Sequence, residues 1–378
     1  MNWKTQLFKL NYDIRELIAV NAVIESGWLT MGDKTREFET AFSVFIGNNV
    51  KSTAVSNCTA SLHMALIASG VESGDEVIIP GLTFVADANV VKFCGATPVL
   101  ADCASLDDWN VTAETIEQCI TSRTKAVIVV HFAGYPCDML GITELCKSRN
   151  LKLIEDVAHA PGASINGRLC GSWGDFGCFS FFSNKNLSVG EGGMITTSND
   201  TSYNKLQKLR SHGMTSLTLD RHKGRTITYD VTEPGLNYRM DEIRAALGLV
   251  QLDKLPKANK KRKTLTDRYI SNLHGSIISI PFIDMTEGHK SAYHILPILL
   301  PSKWDRKSVI NYLKELGIQT SIHYPPFWEF KAYNKCFKKS DCPVVSEVCE
   351  RELTLPLFPS MTIDEVDFVT NSLLAFTK

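Results

Sequence analysis

Lys185 sits in the polar turn Ser183-Asn184-Lys185-Asn186, between the apolar runs 178–182 and 193–197. A lysine at the edge of a partly desolvated pocket loses basicity and can form a Schiff base with a carbonyl. Gly190, Gly192 and Gly193 follow it and imply special backbone geometry beside it. A second run, Leu151-Lys-Leu-Ile-Glu155-Asp156-Val-Ala-His159, delivers two adjacent carboxylates to a strand end, where parallel α/β sheets place their ligands. Side chains alternate along a strand, so Glu155 and Asp156 point to opposite sides and only one can face a given site. A third run, Val55-Ser56-Asn57-Cys58-Thr59-Ala60-Ser61, passes from an apolar strand into a helix. Free backbone N–H groups and the helix dipole make such a junction an anion site, above all for phosphate.

Taken singly, these are a loop lysine, an acidic turn and an ordinary helix cap. Together, an anion site, a strand-end carboxylate and a loop lysine are what pyridoxal phosphate requires. The helix end holds the phosphate, the acid keeps the ring nitrogen protonated, and the lysine takes the aldehyde.

The elements that must position these groups follow from periodicity. Strands are predicted at 52–56, 76–79, 97–101, 125–130, 151–155, 178–182 and 193–197, with helices at 60–69, 86–93 and 139–148 among them. That alternation implies βαβ units and a mostly parallel sheet. Upstream, Phe38, Ala41, Phe42 and Phe45 have the spacing of a buried helix face. A boundary is expected near Leu255–Pro256, where the basic run 254–263 begins and reads as a solvated linking helix. Beyond it come a strand at 292–300, a helix at 306–316 stopped by Gly317, a strand at 318–323, and a last helix opened by the capping box Thr362-Ile-Asp-Glu365. The plan is a large cofactor domain, 1–255, and a smaller α+β domain, 256–378.

Composition narrows the classes. The 378 residues carry 40 Lys+Arg and 41 Asp+Glu, with 44% hydrophobic and 21% charged residues. That excludes a disordered chain and a nucleic-acid binder working by bulk charge. The opening residues lack the pattern of a signal peptide, and no apolar run reaches transmembrane length. Eleven cysteines between Cys58 and Cys349, without a CxxC pair, fit reduced thiols in a cytoplasmic protein. Asn57, Asn110 and Asn186 head Asn-x-Ser/Thr sequons, which carry no weight without secretion. Gly27-x-x-x-x-Gly32-Asp33-Lys34-Thr35 fails as a P-loop, because Asp33 intrudes and the preceding residues read as helical. No Rossmann glycine motif, G-x-S-x-G elbow or HExxH pair occurs. His212, His222, His289 and His294 lack ligand spacing, so no metal site is expected.

The chain resembles the DegT/DnrJ/EryC1/StrS sugar aminotransferases, fold-type I pyridoxal-phosphate enzymes, from about Phe8 to its end. The matching segments are SGWLTMGDKTREFE, VSNCTASLHMAL, IIPGLTFVADANVVKFCGATPVLADC, EDVAHAPGA, SFFSNKNLSVGEGGMITT, GLNYRMDEIRAALGLVQL and LTLPLFPSMT. The resemblance implies an aspartate-aminotransferase-like large domain with a mixed, mostly parallel sheet, and a smaller α+β domain. It implies that Lys185 is the Schiff-base lysine and the proton relay, that Asp156 pairs with the pyridinium nitrogen, and that His159 hydrogen-bonds near the ring hydroxyl. Phe84 would stack on the ring, and Cys58, Thr59 and Ser180 would hold the phosphate. Asn237, in Gly235-Leu-Asn237-Tyr-Arg239, would reach the phosphate of a neighbouring subunit, hence a homodimer with shared sites. Trp28, His323 and Tyr324 would face the substrate, shaped by loops 28–33, 215–230 and 323–328. Three departures stand out: Cys58 for a common glycine, Ser211-His212-Gly213 for Asp-His-Gly, and Trp328 for a frequent histidine. Relatives that dehydrate ketosugars carry histidine at the lysine position, so Lys185 implies transamination. The expected reaction moves an amino group from glutamate to a nucleotide-linked deoxyketosugar, C4 favoured over C3, for surface polysaccharide or glycoside synthesis. The alternatives are a keto-cyclitol aminotransferase of aminoglycoside synthesis and a non-catalytic cofactor-binding regulator.

Overall fold

The computed structural model describes residues 3–376 except 48, 217–223 and 225–226. Among the described residues, nine strands lie in the first two hundred positions. They are β1 (Lys51–Val55), β2 (Glu76–Pro80), β3 (Thr97–Ala101), β4 (Thr124–Val130), β5 (Lys152–Asp156), the short β6 (Ser164–Ile165) and β7 (Arg168–Leu169), β8 (Phe176–Ser180) and β9 (Gly193–Thr197). Seven of them form one sheet in the order β1-β9-β8-β5-β4-β2-β3. Only β9 runs against its neighbours; every other pairing is parallel. All seven predicted strands are present within two residues of their expected ends. Their apolar runs are buried throughout, as in β2 and β8, because helices cover both faces of a parallel sheet.

The helices of this part are α1 (Ile14–Ser26), α2 (Asp33–Ile46), α3 (Cys58–Ala68), α4 (Ala86–Phe93), α5 (Ala113–Glu117), α6 (Met139–Ser148) and α7 (Asp200–Leu209). On α2, Phe38 and Phe42 are fully buried and Phe42 meets Phe179 edge-on at 4.9 Å, while Ala41 and Phe45 lie at the rim. The failed P-loop is a helix–turn–helix joint. Gly27 ends α1 at φ 69°, and the first turn of α2 is held by the Glu242 carboxylate, which accepts from the amides of Gly32, Lys34 and Thr35.

The 32-residue helix α8 (Glu242–Leu273) runs through Leu255–Pro256 without a break. The expected boundary thus falls inside a helix, longer than the linking helix expected over 254–263. Nor is the basic run wholly solvated. Lys254 is buried on Glu16 at 2.6 Å, and buried Arg262 donates to the carbonyls of His294 and Leu357. Beyond α8 come β10 (His289–Lys290), β11 (Leu296–Leu299), α9 (Arg306–Glu315), α10 (Pro343–Arg351), β12 (Glu352–Leu355) and α11 (Ile363–Leu374). The strand predicted at 318–323 is absent; Ile318 and Ser321 make only isolated bridges, to Thr5 and Thr354. The partner of β11 is β12, antiparallel, whose Leu353 and Leu355 face the core while Glu352 and Thr354 serve the site. The Thr362 capping box opens α11 as predicted.

Candidate active site

The C-terminal ends of the parallel strands open onto a cavity of about 410 Å³. Cys58, Thr59, Phe84, Asp156, His159, Ser180, Lys185, His323 and Tyr324 all line it. Trp28 and Asn237 do not. Asn237 is exposed, and its segment runs beside the β1–α3 junction, where Ser56 N–H donates to the Tyr238 carbonyl at 2.8 Å. Trp28 packs over Gly32, where a Cβ would come within 2.6 Å of the indole nitrogen. Most of loop 215–230, and His222 with it, lies outside the described residues.

Lys185 lies in the turn after β8, its amide donating to the Phe182 carbonyl at 2.9 Å. Burial pushes its ammonium down to about 8, against the opposing pull of Asp156 and Cys58. The turn is clamped by Asn186, one of the discounted sequons. Its amide donates to Ala292 O (2.7 Å) and Asn259 Oδ1 (2.9 Å), and its oxygen meets His294 Nδ1 at 2.9 Å. His294 lacks ligand spacing in the sequence. The residue is buried beside the site, its ring 4.5 Å from that of His159.

The two strand-end acids part as alternation requires. Asp156 faces the cavity, accepting from Ala158 N–H at 2.8 Å and facing the Cys58 thiol at 3.9 Å. Burial raises its pKa, while the Ala158 amide and the Lys185 charge oppose the rise. Glu155 points away and accepts the amides of Gly171, Trp173 and Gly174 at 2.7–2.8 Å, and its Oε2 lies 3.1 Å from His131 Nε2. His131, Glu155 and Cys170 lie close enough together to hold a metal, but these hydrogen bonds already occupy the carboxylate and both imidazole nitrogens.

At the opposite end, Asn57 caps α3 by accepting from Ala60 N–H at 2.8 Å. The amides of Cys58 and Thr59 donate to no acceptor among the described residues. Gly193 permits this turn to sit against β9, since a Cβ there would lie 2.5 Å from the Asn57 carbonyl carbon. Gly190 supplies the positive φ, 88°. The glycine cluster therefore serves both close approach and left-handed backbone.

Imidazoles and a phenol form the far wall. His159 Nδ1 accepts from Ala133 N–H at 3.3 Å, so Nε2 carries the hydrogen and donates to Tyr324 Oη at 3.0 Å. Burial and the Lys185 charge push His159 well below the usual histidine range. His323 is held to about 3 for the same reasons, and its Nδ1 meets Thr354 Oγ1 at 2.8 Å. Phe84, 55% exposed, presents its ring to the cavity. The donor set fits pyridoxal phosphate: two free amides at a helix N-terminus, a strand-end carboxylate, a lysine of lowered basicity and an open aromatic face.

Comparison with known proteins agrees. Residues 11–374 match the DegT/DnrJ/EryC1/StrS aminotransferase family. SpsC of Bacillus subtilis, a spore coat polysaccharide biosynthesis protein, is 38% identical over 373 residues, 96% of this chain and 94% of its own. The aminotransferase TlmJ from Streptoalloteichus hindustanus superposes with a TM-score of 0.90 at 31% identity, covering 99% of this chain and 98% of its own. Spr1654 of Streptococcus pneumoniae, a proposed sugar aminotransferase, gives the same TM-score and identity over 99% of this chain and 98% of its own, and has been solved in PLP and PMP forms. With that family match over nearly its whole length, the chain belongs to the DegT/DnrJ/EryC1/StrS aminotransferases and is a pyridoxal-phosphate-dependent sugar aminotransferase.

Proposed function

We propose that this enzyme moves an amino group from glutamate to the C4 ketone of a nucleotide-linked deoxysugar, in the cytoplasm, for surface polysaccharide or glycoside synthesis. The observation that carries the reading is Lys185 held near a pKa of 8 in the same cavity as the Asp156 carboxylate. When bound, pyridoxal phosphate supplies the electron sink that makes the carbon–hydrogen bond beside the nitrogen acidic. Asp156 holds positive charge at the ring nitrogen. Lys185, neutral in an appreciable fraction near pH 8, takes and returns the proton at the substrate carbon. Cys58 and Thr59 amides and the Ser180 hydroxyl bind the phosphate, and Phe84 covers one ring face. His159 stands near the ring hydroxyl and orients Tyr324, whose Oη accepts its Nε2–H. His323 and Tyr324 meet the sugar, with Trp28 at the outer edge. SpsC, named for polysaccharide synthesis, supports the choice of pathway class.

The site is shared in this reading. Ile14, Leu17 and Ile18 form an exposed i, i+3, i+4 stripe on α1, apolar surface suited to a second copy. Asn237, outside its own cavity, then serves the neighbour's phosphate. Residues 1–255 carry the cofactor and 256–378 the substrate wall, with α8 common to both.

The test is incubation with glutamate and a panel of nucleotide 3- and 4-ketosugars and inososes, with mass spectrometry of the amines formed. Amination of a 4-ketosugar with release of 2-oxoglutarate is expected. Inososes alone would favour the keto-cyclitol reading. No amine from any of them overturns the substrate class, and biological function surviving Lys185→Ala would favour a regulator.

A further inference from the structure

One carboxyl beside this cavity has no place in the chemistry above. Asp87, on the first turn of α4, is only 1% exposed. Its Oδ2 accepts the Thr83 hydroxyl at 2.5 Å, and its Oδ1 is buried without a hydrogen-bond partner among the described residues. Thr83, which holds its Oδ2, lines the same cavity as Asp156, and the titratable groups whose charges act on Asp87 are Asp156, Cys58, Cys178 and Tyr324. None of them is a cation. Asp156, by contrast, has an amide at 2.8 Å, the Cys58 thiol at 3.9 Å, and the positive charge of Lys185.

Two buried carboxyls acting on each other without a cation at one of them cannot both ionise at small cost. The groups around each decide which one keeps a proton. Everything that stabilises an anion is gathered at Asp156, whereas Asp87 has a single hydroxyl donor and one orphan oxygen. We propose that Asp87 is a positioning residue for Asp156: it is a neutral carboxylic acid that holds the one proton of the pair on its unpartnered Oδ1 and leaves Asp156 the anion. Burial and the neighbouring Asp156 charge raise Asp87 well above the usual carboxylate range, in keeping with this. The Cys58 thiol, raised by the same burial, stays protonated and adds a weak donor at Asp156. The role of Asp87 rests on the reading of Asp156 as the partner of the ring nitrogen. The pair then presents one negative charge to the cofactor rather than two.

The test uses the cofactor-free full-length protein, so it does not depend on turnover or on the sugar. Infrared difference spectra at pH 7 between wild type and Asp87→Asn should show loss of a protonated-carboxyl C=O band. Those for Asp156→Asn should show loss of carboxylate bands. The reverse assignment in either variant overturns the proposal, and either suffices if the other does not fold. In titrations with pyridoxal phosphate, Asp87→Asn, which copies the neutral acid, should bind within about threefold of wild type. Asp87→Leu, which removes the acceptor of the Thr83 hydroxyl at the cavity wall, should bind at least about tenfold more weakly. Equal weakening by both variants overturns the role. Failure to aminate ketosugars, with these results intact, would strike the substrate and leave the carboxyl pair standing.

Discussion

The Tyr324 hydroxyl accepts a hydrogen bond from Nε2 of His159 at 3.0 Å, tying the segment before α10 to the turn after β5. The tautomer follows from Ala133, whose amide donates to the other imidazole nitrogen. Tyr324 thus keeps its own proton to offer the cavity. Tyr324→Phe leaves a buried N–H without an acceptor, which costs about 1–3 kcal/mol in the cofactor-free protein. Urea unfolding of the two proteins measures this, and equal midpoints would refute the bond.

Lys185 sets a pH dependence. Its folded value near 8 lies below the ordinary 10.5, so between these pH values the folded chain binds fewer protons than the unfolded one. Stability therefore rises with pH across that window, and the burial penalty is fully present below about 8. The neutral amine is the nucleophile, about a tenth of the population at pH 7. Covalent uptake of pyridoxal phosphate, followed by stopped-flow absorbance, should speed up about tenfold from pH 7 to a plateau above 8–9. It should vanish in Lys185→Ala.

Gly193→Ala tests the phosphate end. The new methyl would stand 2.5 Å from the Asn57 carbonyl carbon and 2.9 Å from the Cys58 nitrogen. The turn must move, and the free amides with it. Affinity for pyridoxal phosphate should fall by at least about tenfold, or 1.4 kcal/mol, in a fluorescence titration.

Glu242→Ala tests a support remote from the cavity. This buried carboxylate accepts three amides and the Thr35 hydroxyl at the start of α2. Its loss strands those donors and should cost about 2–4 kcal/mol in stability. A variant as stable as wild type would show that water replaces the carboxylate.

What could be read without coordinates was whatever rests on local periodicity. Seven strands, their alternation with helices, and the capping box at Thr362 emerge because burial on a sheet or helix face repeats every few residues. Lys185, Asp156 and the Cys58–Thr59 junction were legible because each marks a strand end, where a parallel sheet must place its ligands. The strand predicted at 318–323 failed for the opposite reason. Its apolar alternation is local, but the edge of β11 was taken by Glu352–Leu355, whose polar Glu352 and Thr354 disguise a strand. The helix expected over 254–263 is part of α8, whose start at Glu242 was not legible because it depends on packing against α1 and α2. Asn186, His294 and Asp87 could not be recognised at all. Their importance lies in partners far away in sequence, as with Asn186 and Ala292, and in burial that no residue type reveals. The sequence by itself determined which chemistry the chain could hold and the order of the elements presenting it. Tertiary structure alone decided which acid faces the lysine, which imidazole nitrogen carries the hydrogen, and how far burial lowers the basicity of Lys185, because all three depend on desolvation and long-range contact.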